Sequence, residues 1–125
     1  MEKKSERLRQ STFPEELKQM LPRAKSTLSD EQKGWIVQGP NCQVVFWEVH
    51  KKGGYKFKRH SHPFIEWAVV LEGAGTRIVG GKVMEVHEGD EVYIPPGVEH
   101  EVHVTSDTWR AVDFWSNPDW IKKEE

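Results

Sequence analysis

Apolar positions change their spacing near residue 35 of this 125-residue chain. Before that point they are sparse. Thr12-Phe13-Pro14-Glu15 reads as a helix start, with Thr12 as cap, Pro14 in the first turn and Glu15 closing a capping box. Leu17, Met20 and Leu21 then share one helical face, and Pro22 stops the helix. So short a helix must pack on something to persist, and the residues before Ser11 are expected to be loose. From Trp35 onward, short β-branched and aromatic runs alternate with Gly and Pro. Strands are predicted over residues 43–50, 64–71, 76–79, 83–86, 91–94, 100–104 and 109–115. Gly80-Gly81 between two of them is a hairpin signal. No parallel βαβ pattern occurs. The expected architecture is all-β, a sandwich or small barrel of antiparallel strands over residues 34–125, preceded by an arm, residues 1–33, with one short helix.

Composition narrows the function. Hydrophobic residues are 36% and charged residues 30%, which is polar for a globular domain, but six Trp and five Phe supply core bulk. A net charge of −2 argues against a nucleic-acid partner. Cys42 is the one cysteine, so no intramolecular disulfide can form, and a reduced, cytoplasmic protein is expected. No apolar run approaches the ~20 residues needed to span a bilayer, so no membrane partner is expected.

His60, His62 and Glu66 share parity, so one extended strand would face all three to one side. His100 follows a Pro-Gly turn and opens another strand. Three imidazoles and a carboxylate suit one divalent transition metal, Fe, Mn, Ni, Zn or Cu, and do not suit calcium. His-x-His alone is a weak signal. Lys51, Lys52, Lys56, Lys58 and Arg59 form a basic run before His60. Lys56 and Lys58 share its parity, so a regular strand would aim them at the site. Lys58, or Arg77 or Arg110, could there receive a carboxylate of a small acidic substrate, although a solvated hairpin is the plainer reading of the run. Phe64 falls on the ligand face and would wall the substrate space, while Trp67, of opposite parity to Glu66, is free for a dimer contact. His50, His87 and His103 read as surface or packing residues.

The spacing around the four ligands matches a family. Gly54, five residues, His60-Ser61-His62, three residues, Glu66, six residues and Gly73 resemble the first motif of the cupin superfamily at every defined position. Gly89, Pro95, Gly97 and His100 resemble the second, with Val104 where that motif has Asn. Fifteen residues separate Gly73 from Gly89, as in short-linker microbial cupins. The resemblance implies a jelly-roll β-barrel with His60, His62, Glu66 and His100 as metal ligands, and pairing into a homodimer through its sheets. The ending Ala111–Pro118 resembles that of small cupins of uronate and pectin breakdown, through Asp113 and Trp115. It departs by lacking their Arg, and by having Glu66 where they often have Gln. That resemblance implies Asp113 as a general acid/base near the metal.

Two function classes follow. One is a metal-dependent enzyme acting on a small molecule, with a carboxylate or sugar acid as the candidate class, either a dioxygenase or a redox-neutral lyase or isomerase. The other is a non-catalytic small-molecule-binding or sensor module in the same pocket. The intact ligand set favours the enzyme.

Overall fold

A computed structural model of the chain describes residues 13–25 and 31–124. Among the described residues, nine strands follow a short helix α1 (Glu15–Met20): β1 (Gln32–Gln38), β2 (Gln43–His50), β3 (Tyr55–His60), β4 (Glu66–Glu72), β5 (Gly75–Val79), β6 (Lys82–Val86), β7 (Glu91–Ile94), β8 (His100–Val104) and β9 (Thr108–Trp115). They form a five-stranded sheet, β1-β2-β9-β4-β7, and a four-stranded sheet, β3-β8-β5-β6, paired antiparallel throughout. The expected all-β barrel of antiparallel strands is what the chain adopts.

Strand alternation decides what lines the barrel. On β2, Gln43, Val45, Trp47 and Val49 are buried. On β9, Trp109, Ala111 and Trp115 point the same way, and on β4 Glu66, Ala68 and Val70 do. Val49, Val70, Val86, Val104, Trp109 and Ala111 make one packed cluster, and Ala24, Ile36, Val45, Trp47 and Trp115 a second. Gly34 belongs to this packing. A Cβ there would stand 2.6 Å from the Trp47 ring, so a side chain at 34 would displace the indole. β1 begins at Gln32, before the apolar run starting at Trp35, because its first residues are carried by pairing with β2 rather than by their own hydrophobicity.

The N-terminal arm departs from expectation in how it is anchored. Pro14 is the N-cap residue of α1, no side chain among the described residues caps the helix, and Thr12 lies outside them, as does the segment before Ser11. No residue of α1 is buried, and Leu17 and Met20 are exposed. The buried contact is Phe13, stacked on Phe46 at 4.0 Å and tilted against Trp35 at 5.8 Å, on the outer face of the five-stranded sheet. Lys18 holds the helix there through Glu48, 3.1 Å away. The helix ends at Met20, with Leu21 extended as expected of a residue preceding Pro22.

Candidate metal centre

The four residues expected as ligands converge, by a route different from a shared strand. His60 ends β3, His62 sits in the connection between the sheets, Glu66 opens β4, and His100 opens β8 opposite His60. One potential ligand atom from each falls within 4.8 Å of all the others. The predicted strand over 64–71 begins only at Glu66. The connection of residues 61–65 lets the chain change sheets while both imidazoles still reach the shared space.

Each imidazole is held by a backbone carbonyl. Nδ1 of His60 meets Lys58 O at 3.0 Å, Nδ1 of His62 meets Phe64 O at 3.0 Å, and Nδ1 of His100 meets Val98 O at 2.9 Å. A carbonyl only accepts, so the proton is assigned to Nδ1 in all three rings. That leaves the Nε2 lone pairs for the shared space. Pro95-Pro96-Gly97-Val98 builds the second half of this frame. Gly97 has φ 81°, which a type II turn requires, and its N–H donates to His62 O at 2.8 Å. The turn that positions His100 is thus tied to the loop that carries His62.

The donor set fits a cation. Glu66 Oε1 lies 3.0 Å from His62 Nε2 and 3.1 Å from His100 Nε2. With Nδ1 carrying the proton, these contacts set lone pair against lone pair unless a proton or a metal ion lies between. His100 Nε2 is buried without an aligned hydrogen-bond partner despite its nearness to Glu66. Burial pushes Glu66 up, but the His100 and His62 imidazoles beside it outweigh that and hold the carboxyl down at about 2. Burial pulls His100 down, but Glu66 and the Val98 carbonyl outweigh it and raise its pKa. The group therefore has an affinity for positive charge. His62, Glu66 and His100 are buried and His60 is exposed, so the site opens on the His60 side.

The site stands on a cavity of about 530 Å³. Asp113 and Arg77 line it, from β9 and β5. Asp113 lies within the strand on the inward face, in hydrogen-bonding contact with Glu66 and Trp47, and burial together with the Glu66 charge raises its pKa well above the usual carboxylate range. Arg77 is buried. Arg110, the other arginine weighed from sequence, faces outward and pairs with Glu48 and Glu72.

The parity argument for the basic run does not survive. β3 carries an irregularity between Phe57 and His60, so Tyr55 and Phe57 pack against the core while Lys56 stays outside. Lys58 is exposed at the cavity rim, its carbonyl committed to His60. Arg59 and Lys56 pair with Glu101, at 2.8 and 3.4 Å. Phe64 lies off the strand and stacks on His62 at 4.3 Å with 4° between planes, supporting the imidazole rather than lining the cavity.

Trp120 was not singled out from sequence. Its ring packs over His62 at 5.4 Å and Phe64 at 5.2 Å and lies 6.3 Å from His60. The segment carrying it is fastened by Gln43, which donates through Nε2 to Ile121 O and accepts at Oε1 from Ile121 N. Gln38 also donates to Pro118 O. The signal was a Trp-Ile pair in an otherwise charged C-terminus.

Comparison with known proteins places this geometry. A family model described as a cupin domain matches residues 46–115. An uncharacterised protein of Sinorhizobium fredii is 41% identical over 56 residues, which are 45% of this chain and span 24% of that relative's length. Among solved structures, an RmlC-like cupin of Shewanella frigidimarina superimposes with a TM-score of 0.68 at 20% identity, over 89% of this chain and 92% of its own. KdgF of a Halomonas species gives 0.65 at 18% identity, over 74% and 85%. Bacillus subtilis oxalate decarboxylase, which has Mn(II) centres, gives 0.65 at 18% identity, over 78% of this chain and 28% of its own.

Proposed function

The chain belongs to the cupin family, and on that premise we propose that it is a metal-dependent enzyme acting on a small molecule inside the barrel. His60, His62, Glu66 and His100 would hold one divalent transition metal, drawn from Fe, Mn, Ni, Zn or Cu. The observation that carries the reading is the tautomer frame: three Nδ1–H groups committed to carbonyls, three Nε2 lone pairs and one carboxylate sharing a single space. The Mn(II) centres of the Bacillus subtilis relative, in the same fold, support it.

A bound ion of this kind supplies Lewis acidity toward a substrate oxygen or, if it is iron, dioxygen chemistry. The chain's own residues favour redox-neutral lyase or isomerase chemistry. Asp113 is a carboxyl group on the cavity wall that is not one of the four donors, and it can hold or move a proton at Oδ. Trp47, Trp109 and Trp115 give the cavity apolar walls, and Trp120 covers part of the ligand group, which limits water. The dioxygenase reading is the runner-up. The non-catalytic binding module remains the alternative outcome of the test.

No helix of the described residues is long and apolar enough to cross a membrane. The protein is proposed to work in the reduced cytoplasm, as a homodimer joined through the outer face of its five-stranded sheet.

Metal content by mass spectrometry, on protein purified without an affinity tag and beside His100→Ala, tests the reading. Near-stoichiometric manganese, nickel or zinc that the variant loses supports it and leads to lyase and isomerase assays. Stoichiometric iron with substrate-dependent oxygen uptake would move it to the dioxygenases. No metal after incubation with excess divalent ions would leave the binding module.

A further inference from the structure

Arg77 is a buried cation on the cavity wall, outside the four-residue ligand group. It lies on β5, 4% exposed, and its Nε and Nη1 are buried with no hydrogen-bond partner. Asp113, Glu66 and Asp90 attract it through space, but none of them makes an ion pair with it. A buried guanidinium left in this state costs the fold free energy, since desolvation is not offset by aligned acceptors. The barrel could be filled at that point by an apolar side chain with no such cost. The position is also specific. On the paired strands β5 and β8, Val79 faces His100 and Arg77 faces Val102, so Arg77 is the inward diagonal neighbour of His100. Diagonal neighbours stand about 7–8 Å apart, a span that one small molecule can bridge.

We propose that Arg77 is the receptor for a carboxylate of the molecule bound in this cavity, which makes the substrate a small carboxylic acid. The inference rests on the proposed metal site for where the rest of that molecule lies. The planar guanidinium matches a carboxylate in shape and hydrogen-bond direction. A single guanidinium among Trp47, Trp109, Ile94 and Val102 balances one negative charge, which fits a carboxylate better than a phosphate dianion. The cavity mouth points the same way. Lys25, Lys58 and Lys122 lie along it, and among the described residues Lys25 and Lys58 have no carboxylate partner, so the approach is positive. The rim lysines attract any anion, whereas Arg77 selects the carboxylate. The receptor is thus the buried arginine of the hairpin, not the exposed basic run before His60.

The test uses protein incubated with Mn2+, with metal content measured on every sample. Acetate, glycolate, malonate and succinate, each beside its amide, and inorganic phosphate are titrated while tryptophan fluorescence and Tm are read. At least one carboxylate should bind wild-type protein tenfold or more tightly than its amide and raise its Tm. Arg77→Met should lose that preference while keeping its metal, and its own ligand-free Tm should rise, because an uncompensated charge has left the interior. A residue with only a structural role would give the opposite Tm change. Arg77→Lys keeps the charge and loses the planar fork, so it should weaken the carboxylate at least fivefold. It decides the matter if Arg77→Met fails to fold. A carboxylate preference that survives in either folded variant overturns the proposal. So does a wild-type protein that prefers phosphate, or that prefers no carboxylate over its amide. Absence of bound metal would count against the metal site alone, because the carboxylate-over-amide comparison is read by the same variants in metal-free protein.

Discussion

His62 presents Nε2 to Glu66 Oε1 at 3.0 Å while its Nδ1 is engaged by the carbonyl of Phe64. One ring is thus fixed at both ends, and the Glu66 end demands a positive charge. Glu66 is held down at about 2, so its contribution to stability is present above its ordinary 4.5 and is lost as pH falls toward 2. His100 is held above its ordinary 6.5, so its contribution is complete below 6.5 and is lost as pH rises through the folded value. The metal-free centre therefore stabilises the fold most between pH 4.5 and 6.5. Metal binding has the opposite slope, since Nε2 must be unprotonated. Thermal scans should show the metal-free Tm falling from about pH 6 to pH 8, while the increase in Tm produced by Mn2+ grows over the same range. Parallel profiles with and without Mn2+ would remove the ion from this site.

The two histidines of the first motif should separate binding from folding. His60 is exposed, whereas His62 is buried and stacked on Phe64. His60→Ala should weaken metal binding by more than the 10–100-fold typical of a lost outer partner, with metal-free stability nearly unchanged. His62→Ala should weaken binding as much and also destabilise the metal-free fold by about 1–3 kcal/mol, through a cavity and the unpaired Phe64 carbonyl. Metal titration and urea unfolding of both metal-free variants check this. Equal stabilities would show that the Phe64 stack contributes nothing.

The grouping of the four proposed ligands was legible in the sequence because turn chemistry and residue spacing coincide there: Gly54 and Gly97 have positive φ and precede the strands that end at His60 and begin at His100. Parity gave the right grouping for the wrong reason, since His62 lies between strands. Where the argument needed an unbroken period of two it failed, because the irregularity after Phe57 turns His60 toward His100 and the site and leaves Lys56 out. Phe64 was misplaced by the same assumption. The Trp-Ile pair near the C-terminus signalled that Trp120 packs, but not where. Trp120 is positioned by Gln43, whose amide pairs with Ile121 78 positions along the chain, and no local pattern records such a contact. Arg77 sat in the inward register of a well-signalled hairpin, so its direction was legible, but its lack of any partner was not.

The proposed pairing between copies would use one definite surface. Val37, Val44, Phe114, Trp67 and Tyr93 are successive cross-strand partners over all five strands of one sheet, on its outer face. Trp67 is 39% and Tyr93 54% exposed, whereas the neighbouring row is covered at Trp35 and Phe46 by Phe13. A contiguous apolar row left open beside a covered one is where a second copy would sit. Light scattering at micromolar concentration should give a dimer for wild-type protein and a monomer for Trp67→Glu, with far-UV circular dichroism unchanged. A wild-type monomer, or a dimer that survives the substitution, rules this face out.

Asp113 offers the sharpest separation between holding a metal and using it. It touches Glu66 without belonging to the four donors, and Trp47 fixes it from the other side. Asparagine keeps the shape and the hydrogen-bonding atoms but cannot carry a proton between states. Asp113→Asn should therefore bind metal with wild-type stoichiometry and within about threefold of wild-type affinity, while kcat on whatever acid the protein turns over falls by 10²–10⁴, the range for loss of a general acid/base. KM should change little if Arg77 and the metal hold the substrate. A small uniform loss in kcat and KM would make Asp113 a wall residue and shift the reading toward chemistry without proton transfer. The pH profile distinguishes the two cases further: the variant should lose one limb of the wild-type kcat profile, which a wall residue would leave in place.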